Sequence, residues 1–222
     1  MMIDVILCDD HALIRRGIRD TLGDAGDIRV VGEAGDYGEL RALMRQRTVD
    51  AAPPRNACDV LVLDINLPGR SGLDVLHALK DEGSPVKVLI VSMYPEDQYA
   101  IRALRAGAFG YVNKGGDPQL IVQAVRTVAQ GRKYVTPEIA QMLVESLTAP
   151  AGVEQAHQKL SDREMQTLTL IASGKRLSDI ADALTLSPKT VSVYRARVLE
   201  KLGLSNNAEL TVYAIRNGLV GD

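Results

Sequence analysis

Only two cysteines, Cys8 and Cys58, occur in 222 residues. That scarcity excludes a disulfide framework and a structural zinc site, both of which need several sulfur or nitrogen ligands at short spacings. Each cysteine lies beside an apolar run and reads as a buried strand residue. No uninterrupted apolar run exceeds strand length, which excludes a helix that spans a bilayer. Met1-Met2-Ile3-Asp4 leads straight into strand-like sequence without a basic segment and apolar core, so export is not expected and the cytoplasm is the expected location. Charge of one sign is lacking too: 26 Lys+Arg stand against 28 Asp+Glu, a net charge of −2. The balance is uneven along the chain, with 17 against 21 over residues 1–158 and 9 against 7 over 159–222, so the cationic part is C-terminal. A surplus of two is weak evidence for a polyanion partner.

What is present is ordinary for a folded chain: 46% hydrophobic and 24% charged residues, in a length that suits two domains. Short apolar runs rich in β-branched residues alternate with stretches of helical period, as strands buried on both faces of a parallel sheet require. The strands read as 3–8, 28–33, 60–63, 86–91 and 108–112. Between the first two, Leu13, Ile14, Gly17, Ile18, Thr21 and Leu22 form an amphipathic stripe, and Leu120, Ile121, Ala124, Val125 and Val128 form another. Five such units in about 130 residues predict an α/β domain with a five-stranded, doubly wound parallel sheet, whose ligand crevice lies outside the carboxyl ends of the strands. Residues 48–57, with Pro53-Pro54, read as a surface loop insertion. A helix is expected over 137–147, then a flexible linker over 148–152.

From Leu160 onward only short capped helices are expected, in a small all-α four-helix domain. Ser161-Asp162-Arg163-Glu164 is a capping box, Gly174 suits a left-handed helix end, Ser187-Pro188 opens a third helix and Asn206 with Glu209 a fourth. A second helix starts near Arg176 or Leu177, and its tight link to the third describes a helix-turn-helix. The expected division is 1–130, a linker with a short helix over 131–158, and 159–222.

Three carboxylates fall at the carboxyl edge of the sheet: Asp9 and Asp10 after the first strand, Asp64 at the end of the third. Like charges gathered there repel unless a cation intervenes, and an oxygen-only donor set favours a hard ion such as Mg²⁺. Ser92 and Lys114 follow the fourth and fifth strands. Five residues on successive strand ends resemble a phosphoryl-transfer site, where a carboxylate accepts the group and cations offset the oxygens' charge.

These residues carry a family resemblance. Cys-Asp-Asp at 8–10, LVLDINLPGRSG at 61–72, VSM at 91–93 and GYVNK at 110–114 make the first 130 residues resemble the flavodoxin-like receiver domain of a two-component response regulator. The resemblance implies that Asp64 is the phosphoacceptor and that Asp9, Asp10, Asp64 and the backbone carbonyl of Asn66 bind Mg²⁺. It makes Ser92 the hydroxyl that follows the phosphate, Lys114 the invariant lysine, Tyr111 the aromatic switch, and Pro68-Gly69 part of the loop after the acceptor. Gly115 stands where many receivers have a cis-proline, and glycine's freedom is expected to supply the backbone conformation. His11 reads as a surface residue.

The helix from Pro188 to Leu202, at 100° per residue, gathers Val191, Tyr194, Val198, Leu199 and Leu202 on a core side and Lys189, Ser192, Val193, Ala196, Arg197 and Glu200 on the other. An outward valine suits contact with a thymine methyl. Residues 159–222 resemble the LuxR-type helix-turn-helix, so the chain as a whole looks like a NarL/FixJ-type response regulator. That resemblance implies base contacts from Ser192, Val193, Ala196 and Arg197, and backbone contacts from Ser187, Lys189, Thr190, Arg195 and Lys201. It also implies a sensor histidine kinase and double-stranded promoter DNA as partners, RNA polymerase as a further candidate, and a homodimer when phosphorylated. On the last helix Leu210, Tyr213 and Ala214 are a candidate dimer surface, and core packing explains the same residues equally well. No membrane partner is expected. The chain is expected to be no enzyme beyond its own phosphoryl transfer and slow dephosphorylation. An aspartyl phosphatase of the haloacid dehalogenase type is the competing reading, but its second acid would fall at Asn66. A third reading makes the receiver a constitutive dimerisation module, against which Asp64, Lys114 and Ser92 argue.

Overall fold

The computed structural model describes residues 2–49, 56–94, 96–148 and 156–220. The chain divides into two compact units, Met1–Leu147 and Thr148–Asp222. The expected insertion at 48–57 and linker at 148–152 lie mostly outside the described residues.

In the first unit, strands β1 (Ile3–Cys8), β2 (Ile28–Ala34), β3 (Val60–Asp64), β4 (Lys87–Ser92) and β5 (Gly110–Asn113) form one parallel sheet in the order β2-β1-β3-β4-β5. Helices α1 (Ala12–Gly23), α2 (Tyr37–Val49), α3 (Gly72–Asp81), α4 (Glu96–Ala106) and α5 (Pro118–Ala129) connect or follow the strands. The order reverses at β1 and β3, which puts a topological switch point between the strands that end near Asp9 and at Asp64. Val5, Leu7, Val60, Val62, Leu89 and Val91 meet Ile18 and Leu22 of α1 and Ile121 and Val125 of α5 in one core. By the period-two alternation of a strand, Ile6, Leu61, Leu63 and Ile90 face the opposite side, and they are buried as well. That two-sided burial is why the strands read as unbroken apolar runs. Cys8 ends β1 as expected, whereas Cys58 lies two residues before β3 and not in a strand; both are buried, and each thiol is pushed up to about 12 chiefly by desolvation, which leaves it inert.

Two expectations need correction here. The stripe of α1 is narrower than the sequence suggests: Ile14, Ile18 and Leu22 face inward, while Leu13 is 84% exposed and Gly17 is exposed. Leu13 is turned 100° from Ile14, beyond the arc that the sheet covers. The first unit also continues past residue 130. The Tyr134 N–H donates to the Phe109 carbonyl, Gly110 pairs with Tyr134 in a parallel bridge, and the Thr136 hydroxyl donates to Glu96. These bonds join the segment and α6 (Pro137–Thr148) to β5 and α4.

In the second unit, a 3-10 turn (Ala156–Lys159) precedes α7 (Asp162–Ala172), α8 (Leu177–Ala183), α9 (Pro188–Leu202) and α10 (Asn207–Arg216). The signals read from sequence are present as bonds. Ser161 and Glu164 close a reciprocal capping box, Gly174 has φ +78°, the Ser187 hydroxyl accepts from the Thr190 N–H with Pro188 in the first turn, and Asn206 accepts from the Glu209 N–H. Arg176 holds the cap position of α8 without a side-chain cap, and Asp179 accepts from its N–H instead. Thr185, in the turn between α8 and α9, takes φ +53°, a conformation that β-branched residues rarely adopt. Leu160, Met165, Leu168, Ile180, Val191, Val198, Leu210 and Ala214 form the core.

Candidate phosphoryl-accepting site and nucleic-acid face

The strand ends bring the acidic residues together as the winding requires. Asp9 and Asp64 are buried, and Lys114 extends between them with Nζ 2.6 Å from Asp9 Oδ2 and 2.8 Å from Asp64 Oδ2. Burial in low dielectric raises the Asp64 carboxyl from 3.8 to about 6; Lys114 and the Asn66 backbone N–H pull the other way, and Asp9 adds to the rise. Asp10 sits half-buried beside them. Ligand atoms of Asp9, Asp10, His11 and Asp64 all lie within 4.8 Å of one another. A divalent cation fits such a set, because a single ammonium leaves the net charge of three carboxylates negative.

Ser92, also buried, accepts from the Tyr94 N–H through its hydroxyl (3.2 Å), and its carbonyl accepts from the Lys114 N–H (2.8 Å). Tyr111 points inward and is fully buried, its hydroxyl donating to the Tyr94 carbonyl at 2.6 Å. Burial pushes that phenol far above its usual value, the Ser92 hydroxyl acting against the rise. Asn66 occupies the loop two residues beyond Asp64, and Gly69, with φ +72°, lets the same loop turn back.

Three residues gain importance that sequence reasoning did not give them. His11 places Nδ1 2.6 Å from Asp10 Oδ1; its adjacency to the acidic pair was the available signal. Gly72 opens α3 so close to β3 that an added Cβ would stand 2.0 Å from the Asp64 carbonyl oxygen. Asn113 bonds two loops at once. Gly115, by contrast, does not use the left-handed region, so glycine's freedom there is not what shapes the lysine loop.

On α9 the burial follows the helical phase. Val191, Val198 and Leu199 are buried, Tyr194, Arg195 and Leu202 half-buried, and Lys189, Ser192, Val193, Ala196, Arg197 and Glu200 exposed. Val193 keeps 44% of its surface in solvent. Ser187 and Thr190 share a hydroxyl bond at the helix N-terminus. Two cations have partners inside the domain. Lys201 Nζ lies 2.6 Å from Oε2 of the buried Glu164, and the Arg195 guanidinium donates to Asn207. Desolvation pushes the Glu164 carboxyl up, but bonds from Lys201 and the Ser161 backbone outweigh it and hold the group below its ordinary value. The sequence-based dimer surface is also corrected: Leu210 and Ala214 are core and Tyr213 bonds His157, whereas Val212 and Ile215 are the exposed apolar residues of α10.

Comparison with known proteins agrees with both units. The response regulator receiver domain family matches residues 5–126, and the family described as bacterial regulatory proteins, luxR family, matches 158–214. The chain is 39% identical over 218 residues to response regulator UvrY of Escherichia coli (strain K12), spanning 98% of this chain and 96% of that protein. It is 36% identical over 219 residues to response regulator GacA of Pseudomonas aeruginosa, spanning 99% and 98%. A solved structure of RcsB from Salmonella enterica serovar Typhimurium, bound to promoter rprA in the presence of phosphomimetic BeF3-, is similar with a TM-score of 0.61 at 26% identity, covering 96% of this chain and 98% of that one.

A receiver carrying a buried acidic cluster, followed by a LuxR-type DNA-binding domain, defines the class of DNA-binding response regulators, transcription factors whose partners are a histidine kinase and promoter DNA. Within that class the chain belongs to the NarL/FixJ family.

Proposed function

We infer that this transcription factor is switched by Mg²⁺-dependent phosphorylation of Asp64, and that the phosphorylated form binds paired half-sites as a homodimer. The observation that carries the reading is the Lys114 ammonium held between Asp9 and Asp64, both buried. A buried ion cluster of this kind is a costly way to stabilise a fold, and its placement at the carboxyl edge of the sheet suits chemistry. An Asp64 carboxylate oxygen attacks phosphorus; the new O–P bond forms as the P–N bond to the kinase's phosphohistidine breaks, and the imidazole leaves with the bonding pair. Lys114 offsets charge on the acceptor and the incoming oxygens. Asp9, Asp10, Asp64 and the Asn66 carbonyl would hold Mg²⁺, which would supply neutralising charge to the transferring group. The Ser92 hydroxyl then donates to a phosphoryl oxygen, and Tyr111 stays inward behind it. The competing reading, a phosphatase of the haloacid dehalogenase type, lacks its general acid, since Asn66 stands in place of the second acid.

Ser192, Val193, Ala196 and Arg197 read base edges, while Ser187, Lys189, Thr190 and Arg195 hold phosphates. Lys201, matched by Glu164, contributes to the local field. A changed surface around the fourth and fifth helices, α4 and α5, favours the receiver dimer, and the exposed Val212 and Ile215 on α10 offer the DNA-binding domains an apolar contact of their own. Half-sites are then spaced about one turn of DNA apart. A cytoplasmic location suits these partners, a kinase, promoter DNA and, as a further one, RNA polymerase. Incubation with acetyl phosphate and Mg²⁺ should add one phosphoryl group to the intact mass of wild type and none to Asp64→Asn. No gain on wild type refutes the switch.

A further inference from the structure

We propose that Asn113 is a positioning residue for phosphoryl transfer, tying the loop that carries Lys114 to the loop that follows Ser92. It stands two residues after Tyr111 on β5, so both side chains leave the same face of the strand. Both donate to one acceptor, the Tyr94 carbonyl: the Tyr111 hydroxyl at 2.6 Å and Asn113 Nδ2 at 3.2 Å. The other end of the carboxamide works in the opposite direction along the chain. Asn113 Oδ1 accepts from the Gly115 N–H at 2.7 Å, and the Asn113 carbonyl accepts from the Gly116 N–H at 3.3 Å.

The lysine loop needs such a tie. Gly115 has no ring to fix its backbone, and an unrestrained glycine samples more conformations than any other residue. It stays outside the left-handed region, and an added Cβ there would stand 3.1 Å from Asn113 Oδ1, so the carboxamide is packed against this backbone as well as bonded to it. Lys114 between them has a long, flexible side chain whose Nζ must reach Asp9 and Asp64 together. Asn113 pairs in register with Ser92 across β4 and β5, and the Lys114 N–H is bonded to the Ser92 carbonyl. One carboxamide thus fixes the lysine loop to the segment that follows Ser92. A polar side chain at a strand end is commonly satisfied by local bonds alone; the second bond, to a residue nineteen positions away, is what a purely local role does not require.

The proposal rests on phosphoryl transfer to Asp64, and the test separates the two. Full-length wild type, Asp64→Asn, Asn113→Leu and Asn113→Asp are incubated with acetyl phosphate and Mg²⁺, and phosphoryl gain is followed by intact mass alongside thermal melting. Asn113→Leu keeps the branched shape and loses both bonds; it should gain the group about tenfold more slowly at an unchanged melting temperature, since small misplacements of a catalytic group cost this much or more. Asn113→Asp keeps the acceptor for Gly115 but has no donor for the Tyr94 carbonyl, so it should stay about as slow as Asn113→Leu. Equal rates for Asn113→Leu and wild type overturn the proposal, as does an Asn113→Asp rate close to that of wild type, which would leave only the local bond to Gly115. Absence of any gain on wild type instead removes the underlying reading of Asp64.

Discussion

At the sheet edge of the receiver, Asp9, Asp64 and Lys114 are buried against one another, whereas along α9 Lys189, Ser192, Val193 and Arg197 face solvent. Charges out of water interact strongly and each depends on its partners; exposed groups contribute little to folding. The receiver therefore joins stability and chemistry in the same atoms. Helix α9 separates them, with Val191, Val198 and Leu199 buried in the fold and the opposite face exposed to solvent.

Replacing Lys114 tests that contrast hardest. Lys114→Met strands two buried carboxylates and should lower the stability of the receiver's unfolding transition by about 4 kcal/mol in chelator at pH 7.5, with part of the loss recovered in Mg²⁺. Urea titrations would read it, and an unchanged midpoint would mean that the cluster is hydrated rather than buried.

A smaller effect follows from Asp64 itself. Its folded-state value, raised to about 6 from 3.8, means that the folded receiver keeps a proton through a range where the unfolded chain has lost it. That contribution is fully present below pH 3.8 and is lost as pH rises through 6. Relative to Asp64→Asn, metal-free wild type should thus lose about 2 kcal/mol between pH 4 and pH 7. Parallel stability–pH curves for the two proteins would contradict it.

On α9 the expected changes leave folding untouched. Lys189→Ala should weaken binding to all sequences and reduce the salt slope by about 1. Val193→Ala should keep the slope and alter discrimination by about 1 kcal/mol at one base pair. Competition binding at several salt concentrations distinguishes the two; the reverse pattern would put the helix phase in error.

Much of this was legible in the sequence because the signals are local. Strands buried on both faces appear as apolar runs, caps appear as Ser-Pro or Ser-x-x-Glu, and strand ends in a parallel sheet point to one edge. The apolar run includes Val86, whereas the ladder begins at Lys87; Ala34 and Asp64 extend their strands by a residue, since backbone pairing rather than side-chain polarity ends them. Leu13 was misplaced because an apolar residue at the margin of a helical stripe does not reveal how wide an arc its sheet covers. Gly72 and Asn113 were overlooked because their importance lies in contacts with distant segments: the backbone of β3 for one, the Tyr94 carbonyl for the other.

The sequence alone determined the two domains' fold classes, the residues at the acidic edge and the outward face of α9, all consequences of periodicity and strand order. Tertiary structure decided which charges are paired. Lys201 turned to Glu164, Lys114 to two aspartates, and residues 131–147 to the receiver. The reason is that partner choice depends on which groups lose their water together, and desolvation is a property of the packed chain.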